Sequence, residues 1–548
     1  MNELSALFCR VESGTTVMLE PGKVYEIAPE TGFHLKGLYF SNTAKKQENP
    51  EGERFCGIFL ENKQDVVIEG NGAIVMIRGI MTPFIFKNCK NIVMRNITFD
   101  HLRPTMSEFT VIQSAPGCAV IRINPEYRYR IDGNMFWWQG DDSEAGEPYW
   151  EIPYKGPKVQ TNALHPATQQ INYVPGGKGD ACGGVPDIDT LTELEKGTLA
   201  LTFRDKEMCI PVGTVMQTRC IIRFQTGGAI DDCENVTLEN LRIMSMNGFG
   251  ILGQNSRNLT YRNLDCTPKA GRTAVSDADF FHFSGCSGEV KVLGCKAAGA
   301  HDDIINIHGT HLRIVAADRR TNTLTLRYCH NESWGFQPYR PGETAEFING
   351  NTLQPFHTAE VCEVEKLNDT DFAVKMDSLP DRAFGENDVA ENISRTASLL
   401  VEGNTFGRIP SRAILCTTRR DVTIRNNTFR YMGAPVLCVA DDANFWFESG
   451  RGGLITLENN TVIDCGAREH EQGTDVVRYE PVVLDKSSKT PVHRKLIMRG
   501  NRLHNSLSDR YTVNLNYVAE AEITGNDSDV PVIVKNDGLA AVTTDIKM

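Results

Sequence analysis

The chain has 548 residues, 41% hydrophobic and 23% charged, which is ordinary globular composition with length enough for a large core. A formal net charge of -13 argues against a nucleic-acid groove and against an anionic membrane surface, and no stretch approaches the 18 or more apolar residues of a membrane span.

The opening Met1-Asn2-Glu3-Leu4 carries no basic n-region and no long apolar run, so no signal peptide is read; either a cytoplasmic protein or one whose leader has been removed is expected. Leu4, Leu7, Phe8 and Val11 have the spacing of one helix face, which predicts a short N-terminal lid helix. The segment Gly14 to Tyr25 follows as a first strand. From there a phrase recurs, with apolar–polar alternation broken by Asn or Gly before a second short run. It reads Asn91-Ile-Val-Met-Arg-Asn96, then Asn235-Val-Thr-Leu-Glu-Asn240 and Asn258-Leu-Thr-Tyr-Arg-Asn263. Later copies place Asn404, Asn427, Asn460, Asn501 and Asn526 in the same setting.

Asn240 to Asn263 is a step of 23 residues, as is Asn404 to Asn427. A period in the low twenties with twofold alternation fits one coil of a solenoid whose coils stack to bury a common inner face. Asn tolerates left-handed backbone, so it suits a tight corner repeated in every coil. The fold class expected is all-β, a right-handed parallel β-helix with two small β-barrel-like insertions. The expected division is 1–100 for the capped first part, 101–228 for the first insertion and 229–310 for the central coils. A second insertion spans 311–396 and the final coils 397–548. Both insertions lack the repeated phrase; the first carries Trp137, Trp138 and Trp150, and the second has alternating runs such as Leu324 to Tyr328. Sixteen cysteines without a C-x-x-C pair read as buried free thiols.

The chemistry concentrates in Ser276-Asp277-Ala278-Asp279 and His301-Asp302-Asp303. Asp279 to Asp302 is again 23 residues, which would set these two side by side on neighbouring coils roughly 4.8 Å apart. Crowded carboxylates repel, so at least one should have a raised pKa, and an acid beside a carboxylate is what acid/base hydrolysis needs. Strict alternation would turn Asp303 into the core, so a bend near Gly299-Ala300-His301 is required to expose both. Asp277, His301, His308, Arg412, Trp446 and Glu448 are the further candidates for binding substrate, with Asn247 and Gln254 weaker. No metal site and no cofactor is expected.

An Asp on one coil with an Asp-Asp pair on the next resembles the polygalacturonases of glycoside hydrolase family 28. The opening Pro21 to Tyr25 strand, the two insertions, the Asp279…Asp302-Asp303 set and the Asn444 to Gly450 segment are closer still to glycoside hydrolase family 110, the exo-acting α-1,3-galactosidases. That resemblance implies a metal-independent inverting glycosidase acting on terminal α-1,3-linked galactose of blood-group-B-type or linear glycans. It makes Asp302 the general acid, with Asp279 and Asp303 activating water. Family 110 enzymes are usually secreted, and the absence of a readable signal peptide departs from that pattern. Inverting geometry calls for an acid–base separation of about 6.5–9.5 Å. The implied partner is a carbohydrate, not nucleic acid or a membrane, and a homodimer is among the expectations. The alternatives are a polygalacturonase-like hydrolase, disfavoured because Ser276 to His308 holds no cation beyond Lys291 and Lys296, and a non-catalytic carbohydrate-binding β-helix. A lyase would need a calcium site and a basic catalytic residue, neither of which the sequence points to.

Overall fold

A computed structural model describes residues 1–173, 185–466 and 474–546. Apart from one short helix, Glu3–Phe8, its regular elements are strands. Asn2 caps that helix by accepting from the Ser5 N–H, and Leu4, Phe8 and Val11 are buried against the first coils. Leu7 is instead exposed, because the helix ends one residue after it.

The body is a right-handed parallel β-helix. One parallel sheet gathers two short strands from each coil. The strand Glu234–Glu239 pairs with Lys90–His101 on one side and with Arg257–Arg262 on the other, and the column continues through Val422–Arg425 to Ala541–Thr544. A second parallel face stacks Gly228–Asp231, Ile251–Gln254, Phe281–Ser284, the start of Ile305–Asp318, Ile414–Thr417 and Leu437–Val439. Between the faces runs one continuous apolar core, with Ile92, Val236, Leu259, Val290, Leu399 and Val422 buried in register. The coils bury a common inner face, every second residue of each strand, only if each repeats the same pattern, as the sequence does. Nine of the described cysteines are buried, and all the described cysteines are unpaired.

The asparagines divide into two columns. Asn96, Asn240 and Asn263 have left-handed backbone, with φ of 60°, 52° and 53°, and their amides link coil to coil. In the C-terminal coils the left-handed position is held by Gly403, Asn426, Asn459, Gly500 and Gly525. Asn404, Asn427, Asn460 and Asn501 therefore sit one residue later than the phrase suggested, with buried side chains. There each amide donates to the next asparagine's Oδ1 and to a backbone carbonyl of the preceding coil, as Asn427 does to Asn460 at 2.9 Å and to Val401 at 3.0 Å. The register slips by one because a buried amide ladder needs side chains pointing inward, while a left-handed corner points them out.

Two antiparallel units interrupt the coils. The first joins a seven-stranded sheet that includes Ser107–Ala115 and Thr198–Phe203 to a three-stranded one, sharing a core of Phe109, Phe136, Trp138 and Trp150. The second is a closed six-stranded barrel. Its strands run in the order Ile305–Asp318, Thr323–Arg327, Asp371–Met376, Gln354–Lys366, Thr344–Asn349 and Val389–Asn392, the last pairing back onto the first. The strand Ile305–Asp318 belongs to both bodies, its first residues in the β-helix and its last in the barrel. The barrel thus leaves the helix a few residues after Asp303.

Candidate active site

Asp279 and Asp303 both lie in a bend that precedes a strand of the second face, not on a strand. Gly299, with φ of 84°, opens the bend before Asp302 and Asp303. Alternation therefore does not apply there, and the turn that brings both Asp302 and Asp303 to the cleft is present, although Asp303 stays buried. The register is fixed by Phe281 opposite Ile305 and Ser276 opposite Ala300, a step of 24 rather than 23. Asp279 accordingly stands over Asp303, not over Asp302, and Asp277 stands over His301. On the next coil Ile305 meets Ile414, which sets Arg412 over Asp303. On the preceding coil, a Cβ at Gly250 would lie 2.2 Å from the Asp279 carbonyl, so only glycine lets the coils approach so closely.

A cleft enclosing about 370 Å³, open to solvent, is lined by Asp279, Asp302, Asp303, Arg223, Arg412, Asn42, Asn306, Leu415, Trp446 and Glu448. One oxygen from each of the three aspartates lies within 4.8 Å of the others. The wide acid–base gap expected for inversion is therefore not seen between their nearest oxygens. Their environments differ. The Asp302 side chain is 25% exposed, Asp279 5% and Asp303 1%. Asp303 accepts from Ser411 Oγ at 2.7 Å, from Arg412 N–H at 3.0 Å and, in a bidentate grip, from Arg412 Nε and Nη2 at 2.9 and 2.7 Å. Burial pushes Asp303 up to about 7 against the pull of Arg412. Burial, reinforced by the charge of Asp302, pushes Asp279 up to about 8. Arg223 Nη2 lies 3.2 Å from Asp302 Oδ2. Three clustered carboxyls could also grip a divalent cation, but Arg223 and Arg412 already bring compensating positive charge, and Asp303 Oδ1 is taken up by Ser411 and Arg412, with Oδ2 accepting one further bond from Arg412.

The rim comes from the Asp442–Gly450 loop. Asp442 accepts from the N–H groups of Asn444, Phe445 and Trp446 at 2.7, 2.9 and 2.6 Å, which fixes the loop tip. Phe447 is held at φ of 60°, an unusual backbone for a bulky residue that tends to mark functional loops. Trp446, 48% exposed, packs against His330 of the barrel with ring centroids 4.3 Å apart. Glu448 Oε1 accepts from Asn42 at 2.9 Å and from Asn306 at 3.4 Å. The Asn306 Oδ1 is buried at the cleft with no protein partner, an acceptor left over for a hydroxyl.

Arg412, Trp446 and Glu448 therefore join the three aspartates in the cleft. Asp277, His301 and His308 are brought near it but do not line it. Asp277 is buried, accepting from Thr105 Oγ and Gly248 N–H. His301 bonds Gln217 of the first insertion, and burial holds it well below its ordinary value. His308 shares a strand face with the cleft-lining Asn306, while Ile305 and Ile307 point into the core, but it is buried beneath Glu448 and His282. Asn247 and Gln254 are likewise spent on structure, with Thr105 and Ser41. Arg223 and Asn42 gave no signal in the sequence. They stand 79 and 406 residues from Asp302 and Glu448, their partners in the cleft. The cations that Ser276 to His308 lacked are thus supplied from outside it, and both are engaged with aspartates.

A carboxyl cluster at the floor of an open cleft on a parallel β-helix is an arrangement suited to acid/base hydrolysis. The family model for GLAA-B β-barrel domain II matches residues 323–389, which is the barrel between the central and final coils. The α-1,3-galactosidase A of Bacteroides fragilis (strain YCH46) is 31% identical over 496 residues, 89% of this chain and 78% of that protein. The α-1,3-galactosidase B of Bacteroides thetaiotaomicron is 30% identical over 504 residues, 90% of this chain and 78% of its own length. Among solved structures, a family 28 exopolygalacturonase of Yersinia enterocolitica aligns over 100% of this chain and 75% of its own at 10% identity and a TM-score of 0.36, too remote to bear on the site. The chain belongs to the α-1,3-galactosidase family, glycoside hydrolase family 110.

Proposed function

We propose that this protein removes terminal α-1,3-linked galactose from branched or linear glycans by inverting hydrolysis. The observation that carries the reading is the convergence of Asp279, Asp302 and Asp303 in one cleft, within 4.8 Å of one another, with unequal exposure. The names of the relatives support the substrate class. Asp302 reaches furthest into the cleft, so it is the group able to protonate the departing glycosidic oxygen. Asp279 and Asp303, stacked on the floor, hold the attacking water and take its proton. Inversion itself rests on the family resemblance, since the short separation of the nearest oxygens does not argue for it. Trp446 offers a ring to the sugar beyond the scissile bond, and Asn306 and Glu448 offer acceptors to its hydroxyls.

The test is an assay with product detection on p-nitrophenyl α-galactoside, on linear and branched α-1,3-galactosyl oligosaccharides, and on polygalacturonate. Free galactose from the α-galactosides alone is expected. Release of galacturonate would move the reading to a polygalacturonase-like hydrolase, and binding without turnover would make the protein a lectin-like β-helix.

A further inference from the structure

Behind the cleft floor runs a chain of short hydrogen bonds. Asp279 Oδ2 lies 2.7 Å from His282 Nδ1, His282 Nε2 lies 2.8 Å from His308 Nε2, and His308 Nδ1 lies 2.6 Å from the Gly309 carbonyl oxygen. Both rings are buried. A carbonyl only accepts, so His308 Nδ1 carries a hydrogen. Two bare imidazole nitrogens 2.8 Å apart would set lone pair against lone pair, so a hydrogen lies between the two Nε2 atoms. A third occupies the link between Asp279 and His282. If the Nε2 hydrogen belongs to a neutral His282, its Nδ1 is bare and Asp279 donates. If it belongs to His308, or if His282 keeps it and also takes the Asp279 proton, one ring is an imidazolium, and His282 donates to an ionised Asp279.

From this count we infer that Asp279, His282 and His308 hold one proton in common, as a unit of zero net charge, and that the two histidines are positioning residues which set whether Asp279 is acid or carboxylate. The inference rests on the reading of Asp279 as part of the water-activating pair. When a proton passes from Asp279 Oδ2 to His282 Nδ1, another passes from His282 Nε2 to His308 Nε2. The carboxylate is then free to accept from water, and the charge rests on His308, whose Nε2 is 3.7 Å from Glu448 Oε1. The groups that bias the exchange are Asp302, Arg223, Glu448 and Arg412 around Asp279, and Glu448, Arg223 and Asp302 around His282. The raised Asp279 and the His282 ring held well below its ordinary value by burial agree with the proton resting on the carboxyl.

The experiment is 15N NMR of the full-length protein labelled at histidine, together with pH–rate profiles. Expected are a protonated His308 Nδ1, a hydrogen shared between the two Nε2 atoms, and joint titration of both rings that changes in Asp279→Asn. Independent titration of the rings, or bare Nε2 atoms on both, overturns the proposal whatever the catalytic role of Asp279. In His308→Gln the new amide oxygen accepts from His282 and keeps the proton on Asp279. The acidic limb of kcat/KM should then move up by at least one pH unit, a tenfold loss on that limb. A uniform fall in kcat with the limb unmoved would reduce His308 to a structural residue. Full activity in Asp279→Asn would instead remove the catalytic reading and leave the NMR result to decide the shared proton.

Discussion

The backbone N–H of Asp303 donates to Asp279 Oδ1 at 3.2 Å, one coil to the next. This single bond records the register of the site. It places the two deeply buried aspartates in one stack, continued by Arg412, and leaves Asp302 beside the stack with its carboxyl toward solvent. The division of labour proposed for the three aspartates rests on that offset.

Replacing Asp302 by Asn should lower kcat by roughly 10²–10⁴-fold through loss of acid catalysis. The melting temperature should change little, because relief of carboxylate crowding offsets the weakened contact with Arg223. Steady-state kinetics and calorimetry on the same preparation check both, and near-normal turnover would take Asp302 out of the mechanism.

Galactose released from an α-galactoside should first appear as the β-anomer in 1H NMR spectra taken before mutarotation. The carboxyl oxygens stand closer than the span of about 6.5–9.5 Å usual for inverting enzymes, and a retaining pair stands about 5–5.5 Å apart. Anomer detection is therefore decisive here. An initial α-anomer, or a trapped glycosyl-enzyme on any of the three aspartates, would assign a retaining mechanism to the same site.

Arg412→Met should destabilise the fold. Asp303 is 1% exposed and would keep only Ser411 and one backbone N–H as donors. Removing one partner of a buried ion pair costs about 3–5 kcal/mol, reduced here to the extent that Asp303 takes up a proton. Arg412→Lys restores the charge without the bidentate grip and should recover only part of the loss in urea denaturation at neutral pH.

Stability should fall as pH rises through the neutral range. Burial raises Asp279 to about 8 and Asp303 to about 7, from an ordinary value of 3.8. An acid whose folded-state pKa is raised contributes stability that is fully present below its unfolded pKa and is lost as pH climbs through the folded value. The window is therefore about pH 4 to 8. Asp279→Asn keeps the neutral shape and cannot ionise, so its melting temperature should rise relative to the parent more at pH 8 than at pH 5. An equal difference at both pH values would mean that Asp279 is ionised throughout.

The repeated phrase around Asn96, Asn240 and Asn263 was enough to read a β-helix, because each coil must present the same inner face and the same left-handed corner to its neighbours. The Asp279 and Asp302-Asp303 set was legible for a related reason, since chemistry shared between adjacent coils recurs at nearly the coil period. The sequence could not decide that the step is 24 and not 23. That depends on where the bend before Phe281 and Ile305 takes up an extra residue, and strand pairing alone settles it. Nor could it assign Asn404 and Asn427 to a buried ladder one residue out of phase with Asn263, for both columns spell the same letters. Arg223 and Asn42 enter the cleft from distant stretches of chain, where neither periodicity nor spacing marks them. His308 was expected to touch substrate and instead stands behind the floor. Alternation gives it the same face as Asn306, but His282 and Glu448 pack over it, and only the packed coils decide which residues of that face are covered.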